Sequence, residues 1–171
     1  VHNGIVENYE EIKEMLSSNG FKFQSDTDTE VIANLIQLNF DELKDVKQTM
    51  IKTVSELKGH FAFVVIFEDG TLAAARFHEP LIVGIGKNSH YLSSDVLGFI
   101  EKTDDVVYLD NEDFVIINQN GLSISKFDGS KAEYQITKVS KEFADVYKGD
   151  YAHFTLKEIS EQSSTIIKAG N

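Results

Sequence analysis

Val1-His2-Asn3-Gly4-Ile5-Val6-Glu7-Asn8 decides how the rest of the sequence is read. Val1 has the character of strand interior, and a helix start follows the His-Asn-Gly triplet almost at once. Asn-Gly is a turn pair, because glycine takes positive φ freely and asparagine tolerates it better than most residues. A turn there can leave a backbone N–H and a side-chain amide pointing the same way. Two such donors are what a developing oxyanion needs. The plain alternative is a tight turn with no chemistry attached.

Downstream, the pattern is helical first. Asn8 and Glu11 stand in reciprocal capping spacing, Ile12, Met15 and Leu16 form an apolar stripe, and Asn19-Gly20 reads as a left-handed C-terminal cap. Phe21-Lys22-Phe23 alternates like a short strand. Thr27 and Glu30 form a second capping box ahead of Val31, Ile32, Leu35 and Ile36. Asp28 falls in that helix's first turn, where exposed N–H groups favour a carboxylate. A third helix is expected from Asp41 to near Gly59. From His60 the pattern turns to strands: Phe61 to Phe67 is a continuous apolar run, suited to a strand buried on both faces. Glu68-Asp69-Gly70 makes a hairpin into Thr71 to Arg76. Leu81 to Gly86 carries a Gly-x-Gly without the third glycine or following helix of a phosphate loop, so it reads as a strand. Further strands are expected at 90–92, 106–109, 114–117, 122–127 and 134–137, and a terminal helix over 151–169. Helices segregated from an antiparallel sheet predict an α+β fold, with helix layers packed on sheet.

The totals narrow the chemistry. The chain has 171 residues, 42% hydrophobic, with 11 glycines and a single proline, which suits one globular domain. Its net charge of −12, from 28 acidic and 16 basic residues, repels nucleic acid and anionic membrane surfaces alike. No apolar run approaches the ~18 residues of a membrane span and nothing resembles a signal peptide, so a cytoplasmic location is expected. There is no cysteine, which removes disulfides, thiolate metal sites and thiol catalysis by these residues alone. The five histidines are scattered without metal-ligand spacing, so neither a metal nor a cofactor is expected.

Four stretches in one order carry a family resemblance: Val1 to Asn8, Thr27-Asp28-Thr29-Glu30-Val31-Ile32-Ala33, Arg76 to Gly86 with Ser94-Asp95, and His153 to Gln162. Over essentially the whole chain they resemble the glutamine-hydrolysing domain of the class II glutamine amidotransferases. The second and fourth stretches point to the aminosugar branch, the glutamine–fructose-6-phosphate aminotransferases, rather than to the purine-pathway amidophosphoribosyltransferases. The resemblance implies an N-terminal-nucleophile (Ntn) hydrolase-like αββα sandwich. It also implies glutamine hydrolysis that feeds ammonia to sugar-phosphate isomerase domains, which make glucosamine 6-phosphate from fructose 6-phosphate. By position, Asn3 and Gly4 match the family's oxyanion hole, and Asp28 the carboxylate that holds the substrate's α-ammonium group.

The departures from the family are as informative. Its nucleophile is an N-terminal cysteine, and this sequence has neither cysteine nor tryptophan. Oxyanion donors help only after a nucleophile has attacked. The expectation is therefore a domain (1–150) incomplete at its N-terminus and inactive alone, followed by a helical segment (151–171) leading toward the isomerase domains. Phe77-His78-Glu79 replaces the family's usual small residues before Pro80, and Ser163 stands where proline is usual. A sandwich short of strands would expose edges and apolar faces, so a homo-oligomer is a further expectation. The alternatives are a non-catalytic amidotransferase-like regulatory module and a piece of an amidophosphoribosyltransferase.

Overall fold

The computed structural model describes residues 1–140, 156 and 159–162. In chain order these form β1 (His2–Val6), α1 (Tyr9–Ser18), α2 (Asp28–Leu43), α3 (Val46–Glu56), β2 (Gly59–Ile66), β3 (Leu72–Phe77), β4 (Ile82–Ile85) and β5 (His90–Ser93). A 3-10 turn at Val96–Gly98 precedes β6 (Asp105–Tyr108), β7 (Asp113–Asn118), β8 (Gly121–Lys126) and β9 (Thr137–Lys138). The strands build two antiparallel sheets, ordered β1-β2-β3-β7-β8 and β5-β4-β6-β9.

Strand alternation divides the core into layers. On the larger sheet Phe61, Phe63, Ala73, Ala75, Phe114 and Ile116 face the helices, where they meet Ile12, Leu16, Val31, Leu35, Met50 and Val54. Their neighbours Ala62, Ala74 and Val115 point the other way, onto Leu81, Val83, Val107 and Leu109 beside the smaller sheet. The expected burial of β2 on both faces is met from Phe61 to Phe63 but not at its far end, where Ile66 is 70% exposed; the alanines let the two sheets approach closely. Beyond the second sheet, Phe99 packs on Ile82 and Val106. Gly84 leaves room for this ring, since a Cβ there would lie 2.7 Å from Phe99 Cδ2, so the Gly-x-Gly is a packing feature of β4. The result is the expected sandwich of sheets with a helical layer outside one of them. The expected terminal helix and the boundary at 150/151 lie largely outside the described residues, of which Leu156 and 159–162 are helical. No helix among the described residues is long and apolar enough to cross a membrane.

Several local expectations need correction. Asn3-Gly4 is not a turn: both residues lie inside β1, opposite Ala62 and Phe61. Phe21-Lys22-Phe23 is not a strand; its aromatic rings simply pack against the helical core. The helix expected from Asp41 does not start there. α2 runs through Asp41 to Leu43, Lys44 turns into the left-handed region at φ 52°, and Asp45 caps α3 by accepting from the Gln48 N–H at 2.8 Å. Neither capping box closes as spaced. Asn8 instead bonds the Glu56 carbonyl and the Lys58 N–H, tying α1 to the end of α3. Glu30 reaches past Thr27 to the N–H groups of Gln24 and Ser25, at 2.8 and 2.7 Å. The C-terminal cap of α1 is as expected, with Gly20 at φ 89° and its N–H on the Ser17 carbonyl.

Candidate active site

β1 is an edge strand, and its hydrogen-bonding parity fixes the site. Val1 and Val64 exchange both backbone bonds at 2.9 Å, and Glu7 N–H donates to the Lys58 carbonyl at 2.8 Å. Antiparallel pairs alternate, so the odd residues of β1 bond to β2 while the N–H groups of His2, Gly4 and Val6 turn toward the open edge. The Val6 N–H is taken by Asp28 Oδ2 at 2.8 Å. That of Gly4 points the same way from two residues back, ~7 Å along the strand.

Gly4 is fixed by more than flexibility. Its φ of 99° lies where side chains are strained, and a Cβ would sit 2.0 Å from the His60 carbonyl oxygen. Only glycine lets the strands approach this closely. Asn3, exposed, lines a cleft of about 270 Å³ at the mouth between the two sheets, together with Ala62, Pro80, Leu81 and Ser94. Asn3 and Gly4 thus sit side by side on the edge strand, within a strand and not the expected turn.

Asp28 begins α2, but its carboxylate serves tertiary structure more than its own helix. One oxygen accepts from Val6, and the other lies 3.6 Å from His2 Nδ1 with the side chain 22% exposed. His2 Nδ1 is also 3.2 Å from Thr29 Oγ1. The His2 side chain is only 2% exposed. Burial pushes its pKa down, against the upward pull of the Asp28 and Glu79 carboxylates and with the downward push of the chain's amino terminus. The structure therefore brings Asn3, Gly4 and Asp28 to one strand edge and adds His2, which sequence reasoning left among scattered histidines. Its signal was positional: His2 stands two residues before Gly4, hence on the same side of a strand.

The loop after β3 closes the other side. His78 adopts φ 68°, in the left-handed region that favours glycine, and its N–H donates to Asn111 Oδ1 at 2.6 Å. Arg76 Nε holds the Glu79 carbonyl at 2.6 Å. These bonds seat the Phe77-His78-Glu79 segment and bring Glu79 Cγ within 2.9 Å of a Cβ built on Gly4. No group of three or more metal-ligating side chains occurs among the described residues.

Fold and site together define an α+β sandwich of two antiparallel sheets, with an exposed amide side chain, backbone N–H groups and a helix-borne carboxylate at one edge strand. Residues 1–100 match the glutamine amidotransferase domain family, and the chain belongs to it. It is 39% identical over 173 residues to the isomerizing glutamine–fructose-6-phosphate aminotransferase of Fusobacterium nucleatum, covering all of this chain and 28% of the relative. It is likewise 39% identical over 171 residues to that of Thermotoga maritima, covering 99% of this chain. The chain spans about 28% of the length of these curated relatives. A solved structure of glutamine phosphoribosylpyrophosphate amidotransferase from B. subtilis, complexed with ADP and GMP, matches with TM-score 0.63 and 28% identity over 74% of this chain and 28% of that one. The chain is thus a glutamine amidotransferase domain homologous to the glutaminase domain of the aminosugar enzymes. The purine-pathway enzyme is a structural neighbour.

Proposed function

We propose that this chain forms the glutamine-orienting part of a glutaminase site whose ammonia serves glucosamine 6-phosphate synthesis from fructose 6-phosphate on sugar-phosphate isomerase domains. The observation that carries the reading is the single strand edge shared by Gly4 N–H and the Asp28 carboxylate, joined through Val6. Asp28 pairs with the α-ammonium group of glutamine through a charge-assisted hydrogen bond. Asn3 Nδ2 and Gly4 N–H receive the amide oxygen as attack turns it into an oxyanion. The attacking thiol is not among these residues, which include no cysteine. Self-association belongs to the same reading: Val1 and Ile5 are exposed on the open edge strand, and Ile66 on the adjacent β2.

Two measurements on the 171-residue chain test this. Coupled ammonia detection with L-glutamine is expected to show no release, and measurable turnover would refute the assignment of the nucleophile to other residues. Titration with L-glutamine is expected to show binding that Asp28→Asn weakens by about tenfold or more, the size of a lost charged hydrogen bond. Equal binding by wild type and variant would remove Asp28 from the site.

A further inference from the structure

The geometry points to His2 as the positioning residue of this site, its ring set against Asp28 Oδ1 so that this oxygen is held toward the substrate's ammonium group. The inference rests on the role proposed above for Asp28. It starts from the parity of β1: residues 2, 4 and 6 share one side of the strand, so the strand that offers Gly4 N–H also meets Asp28 at two points, one a hydrogen bond and one a close approach. Val6 N–H takes Oδ2 at 2.8 Å, and His2 Nδ1 stands 3.6 Å from Oδ1. With Oδ2 engaged, Oδ1 is the oxygen left for a ligand.

The carboxylate also selects the tautomer. A bare Nδ1 lone pair facing Asp28 Oδ1 would be repelled, whereas an Nδ1–H donates to Thr29 Oγ1 at 3.2 Å while its positive end faces the carboxylate. Nε2 is then the bare nitrogen. It is buried and has no hydrogen-bond partner among the described residues. The charged groups facing the ring are Asp28 on α2, Glu79 after β3, and the chain's amino terminus, and burial outweighs the two carboxylates in holding the imidazole neutral. Neutrality matters to the chemistry. A neutral ring whose N–H goes to Thr29 flanks the carboxylate and leaves its charge for the substrate, while an imidazolium would form the ion pair itself and displace the ammonium group.

The test compares His2→Leu, His2→Asn and Asp28→Asn in the 171-residue chain, titrated with L-glutamine and with 4-carbamoylbutanoate, which lacks the α-amino group. Imidazole nitrogen NMR reads the tautomer. Asparagine places its Nδ2 where His2 carries Nδ1. We expect His2→Leu to weaken glutamine about tenfold, His2→Asn to recover most of that loss, and neither to alter 4-carbamoylbutanoate. Glutamine affinity should fall with pH as His2 protonates, and the fall should vanish in His2→Asn. An Nε2–H tautomer, equal defects in both His2 variants, or equal weakening of both ligands would overturn the proposal in favour of simple packing. Should Asp28→Asn leave glutamine binding intact, it is the reading of Asp28 that fails. Should the wild-type chain bind neither ligand, the proposal stands or falls on the tautomer and on whether the Asp28 carboxyl NMR shift moves in His2→Leu but not in His2→Asn.

Discussion

Gly4→Ala should destabilise the domain heavily, even though Gly4 lies on an exposed edge where substitutions are usually mild. The added Cβ would meet the His60 carbonyl oxygen at 2.0 Å and its carbon at 2.8 Å, both backbone atoms that cannot swing aside. Relief requires the strands to part by more than an ångström. The pairs flanking Gly4, Asn3 with Ala62 and Ile5 with His60, are the hydrogen-bonded ones, so parting them weakens bonds worth about 0.5–1.5 kcal/mol each. Holding alanine at φ 99° adds about 1–3 kcal/mol of backbone strain. The sum is roughly 2–5 kcal/mol, a large share of the ~5–15 kcal/mol that holds a typical domain. For a chain of this size, that corresponds to a fall in melting temperature of about 5–15 °C. Thermal unfolding followed by circular dichroism measures it, with Ile5→Ala, also exposed on β1, as the control for local effects. A Gly4→Ala melting temperature within ~2 °C of wild type would mean that the strands are not held at this separation. The close approach could then not be what keeps glycine at position 4.

Two other substitutions probe packing and pH. Gly84→Ala would set a Cβ 2.7 Å from Phe99 Cδ2 and 3.0 Å from Thr103 Cγ2, so overpacking should cost about 1–3 kcal/mol in urea unfolding; an unchanged midpoint would show that the Phe99 ring yields freely. Glu30 has its pKa lowered, first by the Ser25 hydroxyl and then by the Gln24 N–H. A carboxylate depressed in the fold contributes fully above its ordinary value of 4.5 and loses that contribution as pH falls through the lower folded value. Glu30→Gln should therefore flatten part of the acid-side loss of stability in melts taken from neutral pH downward, and parallel curves for variant and wild type would reject it.

What the sequence disclosed depended on how local the cause was. The C-terminal cap of α1 and the hairpin of β2 and β3 were readable because each is settled within a few residues. The break between α2 and α3 was misplaced to Asp41, although Asp45 with Gln48 carried the true start signal. Both aspartates are good caps, and only the left-handed Lys44 decides between them. Asn3-Gly4 read as a turn because its local chemistry is that of a turn, while the partner that draws it into a sheet, β2, lies some sixty residues away. For the same reason the capping potential of Asn8 went to Glu56 and Lys58, and that of Asp28 to Val6. Asn3, Gly4 and Asp28 were named from motif resemblance. Their convergence on one edge, and the presence of His2 there, belong to the register.

That register is fixed by two glycines acting reciprocally. Gly4 accepts the close approach of the His60 carbonyl, and across the ladder Gly59, at φ 123°, accepts that of Ile5, whose carbonyl oxygen would lie 2.2 Å from a Cβ. A slip of β1 by one residue would put side chains into both tight spots and reverse every parity in the strand. Asn3 and Ile5 would then face Asp28, the Gly4 N–H would be consumed by β2, and Val6 could no longer hold the carboxylate. The oxyanion donor and the ammonium-binding carboxylate proposed here are therefore not independent acquisitions of a loop and a helix. They are set together by one strand pairing, so a change that loosens the pairing should disable both at once.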